Sequence, residues 1–258
     1  MDLGIKGRTA LVAGGSAGLG GASARLLAAE GVNLVVSARG EARLRAFAAE
    51  VASEAGVSVT PVAADHSTPE GRARLLAACP DPDILVISCS PPAYVDDLTT
   101  IAEAQWLEAL SATFLGPIAL MSAVLPGMEA RGFGRIVNIG TVSGKAPWDR
   151  RVLSGAPRSA LLNYVHAASK RFAASNVTLN TLLPGMFATE AAMARFGANG
   201  ADAEAEMLSS ARKMRIPAGR YGRPEELAQA CLLLCGAQAG YITGQSLVLD
   251  GGATTSLV

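Results

Sequence analysis

The segment TALVAGGSAGLGG (residues 9–21), followed by ASARLLAAEG (22–31), decides the fold. An uncharged, mostly apolar run leads straight into a glycine-rich turn, and the turn leads straight into an Ala- and Leu-rich helical stretch. Strand, tight loop and helix in immediate succession form the unit that cradles a dinucleotide pyrophosphate in α/β proteins. Gly14 turns the chain without a Cβ penalty. Gly18 lets the backbone approach the pyrophosphate, and Gly20 lets the helix pack close to the strand. Ser16 and Leu19 lie within the same cradle. The helix start adds free N–H groups and the positive end of a dipole.

The same alternation continues along the chain. Strand-like runs fall at Thr9–Ala13, Asn33–Ser37, Val57–Ala63, Asp83–Ser88, Arg135–Ile139, Val177–Leu183 and Ser246–Leu249. Helical stretches fall at Gly18–Glu30, Glu41–Glu54, Pro69–Ala78, Ile101–Ala130, Pro157–Ser175 and Pro224–Cys235. Strands that are apolar almost throughout belong to a parallel sheet covered on both faces. The expected fold is therefore α/β: one doubly wound Rossmann domain over 1–258, with a seven-stranded parallel sheet flanked by helices on both faces. Residues 186–219 are Ala-, Glu- and Met-rich with little strand character, and are expected to form a helical lid over the substrate side. Met186, Phe187, Met193 and Phe196 within them fit either an apolar substrate contact or core packing.

Composition narrows the function classes. Half of the 258 residues are hydrophobic, and Lys+Arg and Asp+Glu balance at 22 each, so no basic surface for nucleic acid or anionic membrane is expected. MDLGIKGRTA lacks the pattern of a secretory leader, and the chain is expected to be cytoplasmic with reduced thiols. Cys231 and Cys235 lie one helical turn apart in LAQACLLLC and are expected to face the core. With His66 and His166 the only histidines, no metal site is expected.

The end of the second strand selects the cofactor. An acid there would hold the adenine-ribose hydroxyls of NAD. The sequence is instead Val36-Ser37-Ala38-Arg39, and Arg39 suits the 2′-phosphate of NADP. NADP(H) is expected over NAD(H).

With these motifs in hand, residues 5 to 252 resemble the short-chain dehydrogenase/reductase family, near its β-ketoacyl-acyl-carrier-protein reductase branch. The spacing Gly14-x-x-x-Gly18-x-Gly20 is that of the family. GRIVNIG (134–140), GRPEELA (222–228) and YITGQSLVLDGG (241–252) also resemble family segments. The resemblance implies that Asp65 lies near the adenine and that Pro184, Gly185 and Thr189 hold the nicotinamide carboxamide. Ser88 falls at the second position of the family's Asn-Asn-Ala-Gly, written Ile87-Ser88-Cys89-Ser90 here, and Ala13 replaces a Thr before the loop.

The family's catalytic Asn, Ser, Tyr and Lys align with Thr113, Thr141, Ser154 and Arg158, so all four positions are substituted. The spacing from Arg158 to Asn180 supports this register. Tyr164 is followed four residues on by Ala168, and Lys170 lies on another face of the helix, so Tyr164 is expected to serve packing or an interface.

Three functions fit. The first is NADP(H)-dependent reduction of a carbonyl, with 3-oxoacyl compounds as first candidates, through a water held by Ser154 and Arg158 or an acid such as Asp149. The second is a cofactor-binding or scaffold protein without reductase activity. The third is a non-redox enzyme on the same fold, with Arg150, Arg151 and Arg158 available to an anion. Expected partners are a small-molecule substrate and further copies of the chain, a homodimer or homotetramer built on Ile101–Ala130 and Pro157–Ser175, whose apolar residues cover more than one face.

Overall fold

The computed structural model describes residues 2–196 and 201–255. Seven parallel strands form one sheet in the order β3-β2-β1-β4-β5-β6-β7. They are β1 (Thr9–Ala13), β2 (Asn33–Ala38), β3 (Val59–Ala63), β4 (Ile84–Ser88), β5 (Gly134–Ile139), β6 (Val177–Pro184) and β7 (Ser246–Leu249). The helices are α1 (Gly18–Ala29), α2 (Glu41–Ala55), α3 (Pro69–Ala78), α4 (Glu103–Leu110), α5 (Gly116–Arg131), α6 (Val152–Phe172), α7 (Glu190–Met193), α8 (Ala201–Lys213) and α9 (Pro224–Cys235).

Successive strand side chains point to opposite faces, so each apolar strand feeds two cores. Ala10 and Val12 of β1, with Ile84 and Val86 of β4, join Leu27 of α1, Leu44 of α2 and Cys231 of α9 on one face. Leu11 and Ala13, with Leu85 and Ile87, meet Leu75 of α3, Leu120 of α5 and Leu161 of α6 on the other. Cys231 and Cys235 both sit in the first core, as their spacing indicated. The chain winds from β1 out to β3 on one side, then crosses back to β4 on the other. In a sheet of this order the ligand cleft belongs at the carboxyl ends of β1 and β4, where that direction reverses.

Three boundaries differ from the sequence reading. The stretch Ile101–Ala130 is helical from Glu103 to Arg131 but is interrupted by a five-residue π turn, Ser111–Leu115. By length and mean hydropathy (1.7) this helical run could cross a membrane. However, Leu120, Met121, Val124, Leu125 and Met128 lie in the core. Helix α6 begins at Val152, five residues before Pro157. Proline favours the first helical position, which suggested the later start, yet here it lies inside the helix. The third strand is also shorter, starting at Val59.

Segment 186–219 is partly helical: α7, a turn at Ala194–Phe196, and α8 are joined to non-helical ends, where Phe187 bridges to Gly222. Residues 197–200 lie outside the described set. Met207, Ala211, Ile216 and Tyr221 make a small third core with Met186, Ala188 and Phe196. Phe187 belongs instead to the first main core, beneath this segment.

Arg135, at the amino end of β5, is 0% exposed. Its guanidinium donates to the carbonyls of Gly134, Asn176, Gly236 and Ala237 and to Asn176 Oδ1, tying β5, β6 and the end of α9 together. Burial pushes its pKa down to about 10, and it remains charged at neutral pH. Leaving buried acceptors unpaired costs about 1–3 kcal/mol each. Arg135→Ala is expected to cost about 3 kcal/mol, lowering Tm by roughly 6–12 °C for a chain of this size. A calorimetric Tm within 2 °C of wild type would contradict that role, with about 2 °C taken as the resolvable shift.

Candidate functional site

The cleft is built by close backbone approach. Gly14 N and Gly15 N both donate to Ser37 O, at 3.0 and 2.9 Å, which pins the loop across the end of β2. A Cβ on Gly14 would stand 2.0 Å from Ser88 O, and one on Gly20 would stand 2.2 Å from Gly14 O. Gly14 and Gly18 hold φ of +77° and +53°, which L side chains rarely adopt. Ser16 and Leu19 flank Gly18 in this loop. The N-cap of α1 is Ala17, which has no side chain to occupy the first-turn N–H groups. The loop thus presents backbone donors and a positive helix end to an anion.

The other residues singled out in the sequence rim the same edge. Arg39 follows β2 and is exposed. Asp65 follows β3, where burial opposes its ionisation. The Ser67 hydroxyl and N–H, with His66 and Arg39 nearby, outweigh that and hold its carboxyl below the usual range. Ser88 ends β4 against Gly14. Pro184 ends β6, and Gly185 N donates to Leu249 O at 2.9 Å. Thr189 lies against Gly18: a Cβ on Gly18 would lie 3.5 Å from its methyl. Beside it, Arg43 of α2 pairs with Glu190 of α7.

A second polar group lies beyond the ends of β4 and β5. Ser154 and Arg158 share one face of α6, both 3% exposed, and Arg158 Nη1 donates to Ser154 Oγ at 2.8 Å. Arg158 Nη2 donates to Cys89 O at 3.0 Å. No carboxylate pairs with Arg158 among the described residues. Burial pushes its pKa below the usual arginine range; Cys89 opposes that and Arg151 adds to it. Thr141, just past β5, caps the turn Val142–Gly144, accepting from Ser143 N at 3.3 Å. That turn packs on the start of α6: a Cβ on Gly155 would lie 2.8 Å from Ser143 O. Thr113 sits on the π turn, which also packs on α6. Its hydroxyl donates to Ala109 O at 2.6 Å, so it is engaged within its own helix.

Two other sequence candidates stand apart. Tyr164 shares a hydrogen bond with Ser122 at 3.1 Å and packs against the second core. Asp149 is exposed and accepts from Arg150 N at 2.7 Å.

The structure adds a pair that the sequence reading missed. His66 Nε2 lies 3.2 Å from Cys89 Sγ and 3.2 Å from Ala112 O. Burial alone would lower the imidazole pKa, but Cys89, the Ala112 carbonyl and Asp65 outweigh it and hold it above the ordinary value. These residues lie on different loops, and no local spacing announces them.

Cys89 is half-buried, whereas Cys79, Cys231 and Cys235 are buried. Burial, helped by Asp83 and Asp81, pushes the Cys79 thiol up to about 11. Iodoacetamide on the native protein is therefore expected to alkylate Cys89 ahead of the other three, read by peptide mass spectrometry. Equal labelling of a buried thiol would contradict this placement.

Comparison with known proteins agrees with this geometry. A family model described as enoyl-(acyl carrier protein) reductase matches residues 13–254. Acetoacetyl-CoA reductase of Rhizobium meliloti is 32% identical over 250 residues, covering 95% of this chain and 98% of that protein. The structure of L-sorbose reductase from Gluconobacter frateurii, complexed with NADPH and L-sorbose, superposes with a TM-score of 0.92 at 29% identity over 100% of both chains. An NADPH-bound short chain oxidoreductase of Pseudomonas aeruginosa PAO1, described as containing an atypical catalytic center, gives a TM-score of 0.88 at 28% identity, covering 96% of this chain and 97% of that one. Sheet order, glycine cradle and family match together lead to one conclusion: the chain belongs to the short-chain dehydrogenase/reductase family.

Proposed function

We propose that this protein is an NADP(H)-dependent oxidoreductase interconverting a carbonyl and an alcohol, with an altered proton-handling set. The observation that carries the reading is the cradle of Gly14, Ser16, Gly18, Leu19 and Gly20, where any Cβ on Gly14 or Gly20 would collide with backbone. The uncapped start of α1 suits a pyrophosphate, and exposed Arg39, which has no carboxylate partner among the described residues, suits a 2′-phosphate. Asp65 would border the adenine, and Ser88, Pro184, Gly185 and Thr189 would position the nicotinamide. Two structurally similar family members bind NADPH, which supports the same choice here.

Bound NADPH would supply the hydride. In this reading Thr113, Thr141, Ser154 and Arg158 stand where family relatives carry Asn, Ser, Tyr and Lys. Because Arg158 donates to Ser154 Oγ, the Ser154 hydroxyl hydrogen is left to point at a substrate oxygen; the Thr141 hydroxyl donates to Ser143 Oγ at 3.5 Å and would have to turn from it to serve as a second donor. Ser154 can hydrogen-bond a developing alkoxide, but its hydroxyl is far less acidic than a phenol of pKa about 10. Arg158 stays charged and supplies field rather than a proton. The proton in this reading comes from water. Segment 186–219 acts as the lid, and exclusion of bulk water falls to it. Exposed, hydrogen-bonded Asp149 is no acid in this scheme.

A second reading rests on Thr113, whose hydroxyl is already used within its own helix. It is a protein that binds NADP(H) without turning it over. In either reading the chain forms a homo-oligomer through α4, α5 and α6, where Leu107 and Leu115 stand 57% and 53% exposed. Its four free cysteines suit a reducing, cytoplasmic setting.

Calorimetric titration is expected to show NADPH binding at least about tenfold tighter than NADH, a difference of about 1.4 kcal/mol. Arg39→Ala should remove most of that preference and leave NADH binding within about twofold. No binding of either nucleotide would overturn the reading. Binding without reduction of any carbonyl compound, unchanged by Ser154→Tyr with Arg158→Lys, would favour the second.

A further inference from the structure

The loops leaving the carboxyl ends of β4, β5 and β6 converge on one aromatic ring. Tyr94 lies on the first of these loops, Arg150 and Arg151 on the second, and Arg195 on the third, just after α7. The Cζ atoms of Arg151, Arg150 and Arg195 stand 3.6, 5.4 and 5.5 Å from the centroid of the Tyr94 ring. The edge of Trp148 closes on the same ring, with centroids 5.8 Å apart. Beneath this cluster lies Arg158, near enough that Arg151 lowers its pKa.

These cations are unevenly neutralised. Arg150 pairs with Asp96. Asp149, the other carboxylate of the turn, is engaged by the backbone N–H of Arg150. Arg151 donates only to a neutral carbonyl, Pro92 O, at 3.1 Å. Neither Arg151, Arg158 nor Arg195 pairs with a carboxylate among the described residues. Burial pushes Arg151 below the usual arginine range; Tyr94 opposes that shift, and Arg195 lowers it further. A ring face attracts a guanidinium but carries no net charge, so stacking leaves the repulsion among the three uncompensated. Arg158 is buried, Arg151 half-buried and Arg195 exposed beside them; guanidiniums gathered without a counter-ion and against mutual repulsion fit a site completed by an anion.

The cofactor does not account for that anion. The glycine cradle and Arg39 lie over β1 and β2, whereas this cluster lies over β4, β5 and β6, the side left for substrate. We infer that Arg151 and Arg195, stacked on Tyr94 above the buried Arg158, bind an anionic group of the substrate, a carboxylate or a phosphate ester. Arg195 directly follows α7, so the bound anion would also link the end of α7 to the start of α6. This assignment deepens the oxidoreductase reading and rests on it only in taking this end of the cleft as the substrate end.

The test is calorimetric titration of the full-length protein, with and without saturating NADPH, using levulinate, its uncharged methyl ester and methyl phosphate as probes. At least one of the two anions is expected to bind tenfold or more tightly than the ester, and to weaken as NaCl is raised. Arg151→Gln and Arg195→Gln should each weaken the anion tenfold or more while leaving NADPH affinity within twofold, which also shows that the variants remain folded. Tighter levulinate identifies a carboxylate substrate, and tighter methyl phosphate identifies a phosphate ester. Equal affinity for ester and anions, or anion affinity within twofold of wild type in both variants, would overturn the assignment. Anion binding without NADPH binding would leave the anion site standing and remove the cofactor reading instead.

Discussion

The contact on which the rest of the molecule depends is the one between Gly14, Gly20 and Ser88. Room for a Cβ is absent at either glycine, because the backbone of the loop and of β4 already fills it. That closeness brings the carboxyl ends of β1 and β4 together at the point where the winding reverses, and it sets the start of α1 directly over them. A cleft with backbone donors at one end and polar side chains at the other is the geometric result. The apolar strands support it from both faces, and Arg135 clamps the opposite, amino end of the sheet.

At the far end of the cleft, the proposed reading sets Ser154 and Arg158 where relatives would carry a phenol and an ammonium. A phenol beside an ammonium is a proton donor tuned by its neighbour. A serine beside a guanidinium is a hydrogen-bond donor in a fixed positive field, and that field is better suited to holding an oxyanion than to delivering a proton. The buried Arg158, bonded only to Ser154 and a carbonyl, is the source of that field. The arginines around Tyr94 extend it outward to the mouth of the cleft. Recognition of negative charge, with protons drawn from water, is the chemistry the proposal assigns to this arrangement.

What was legible in the sequence was what depends on local spacing. The glycine loop and the apolar strands follow from periodicities of a few residues, whereas the Ser154–Arg158 pair comes from the family register and only its shared helix face from spacing. Pro157 misled the reading of where α6 begins, since a proline inside a helix looks like one that starts it. The π turn at Thr113 leaves no mark in composition, because its residues are ordinary helix formers set one residue out of register. His66 with Cys89, and Tyr94 with Arg151 and Arg195, are contacts between separate loops and could be seen only once the strands had brought those loops together.

The most direct test of the account is the ³¹P NMR signal of the 2′-phosphate of NADP⁺, followed against pH with the protein present. A free phosphate monoester of this kind titrates near pH 6. If Arg39 and the cradle hold the nucleotide as described, the bound signal will shift and its pKa will fall, because a neighbouring guanidinium favours the dianion. A 2′-phosphate resonance with the position and titration of the free nucleotide, at protein in excess, would contradict the account at its centre.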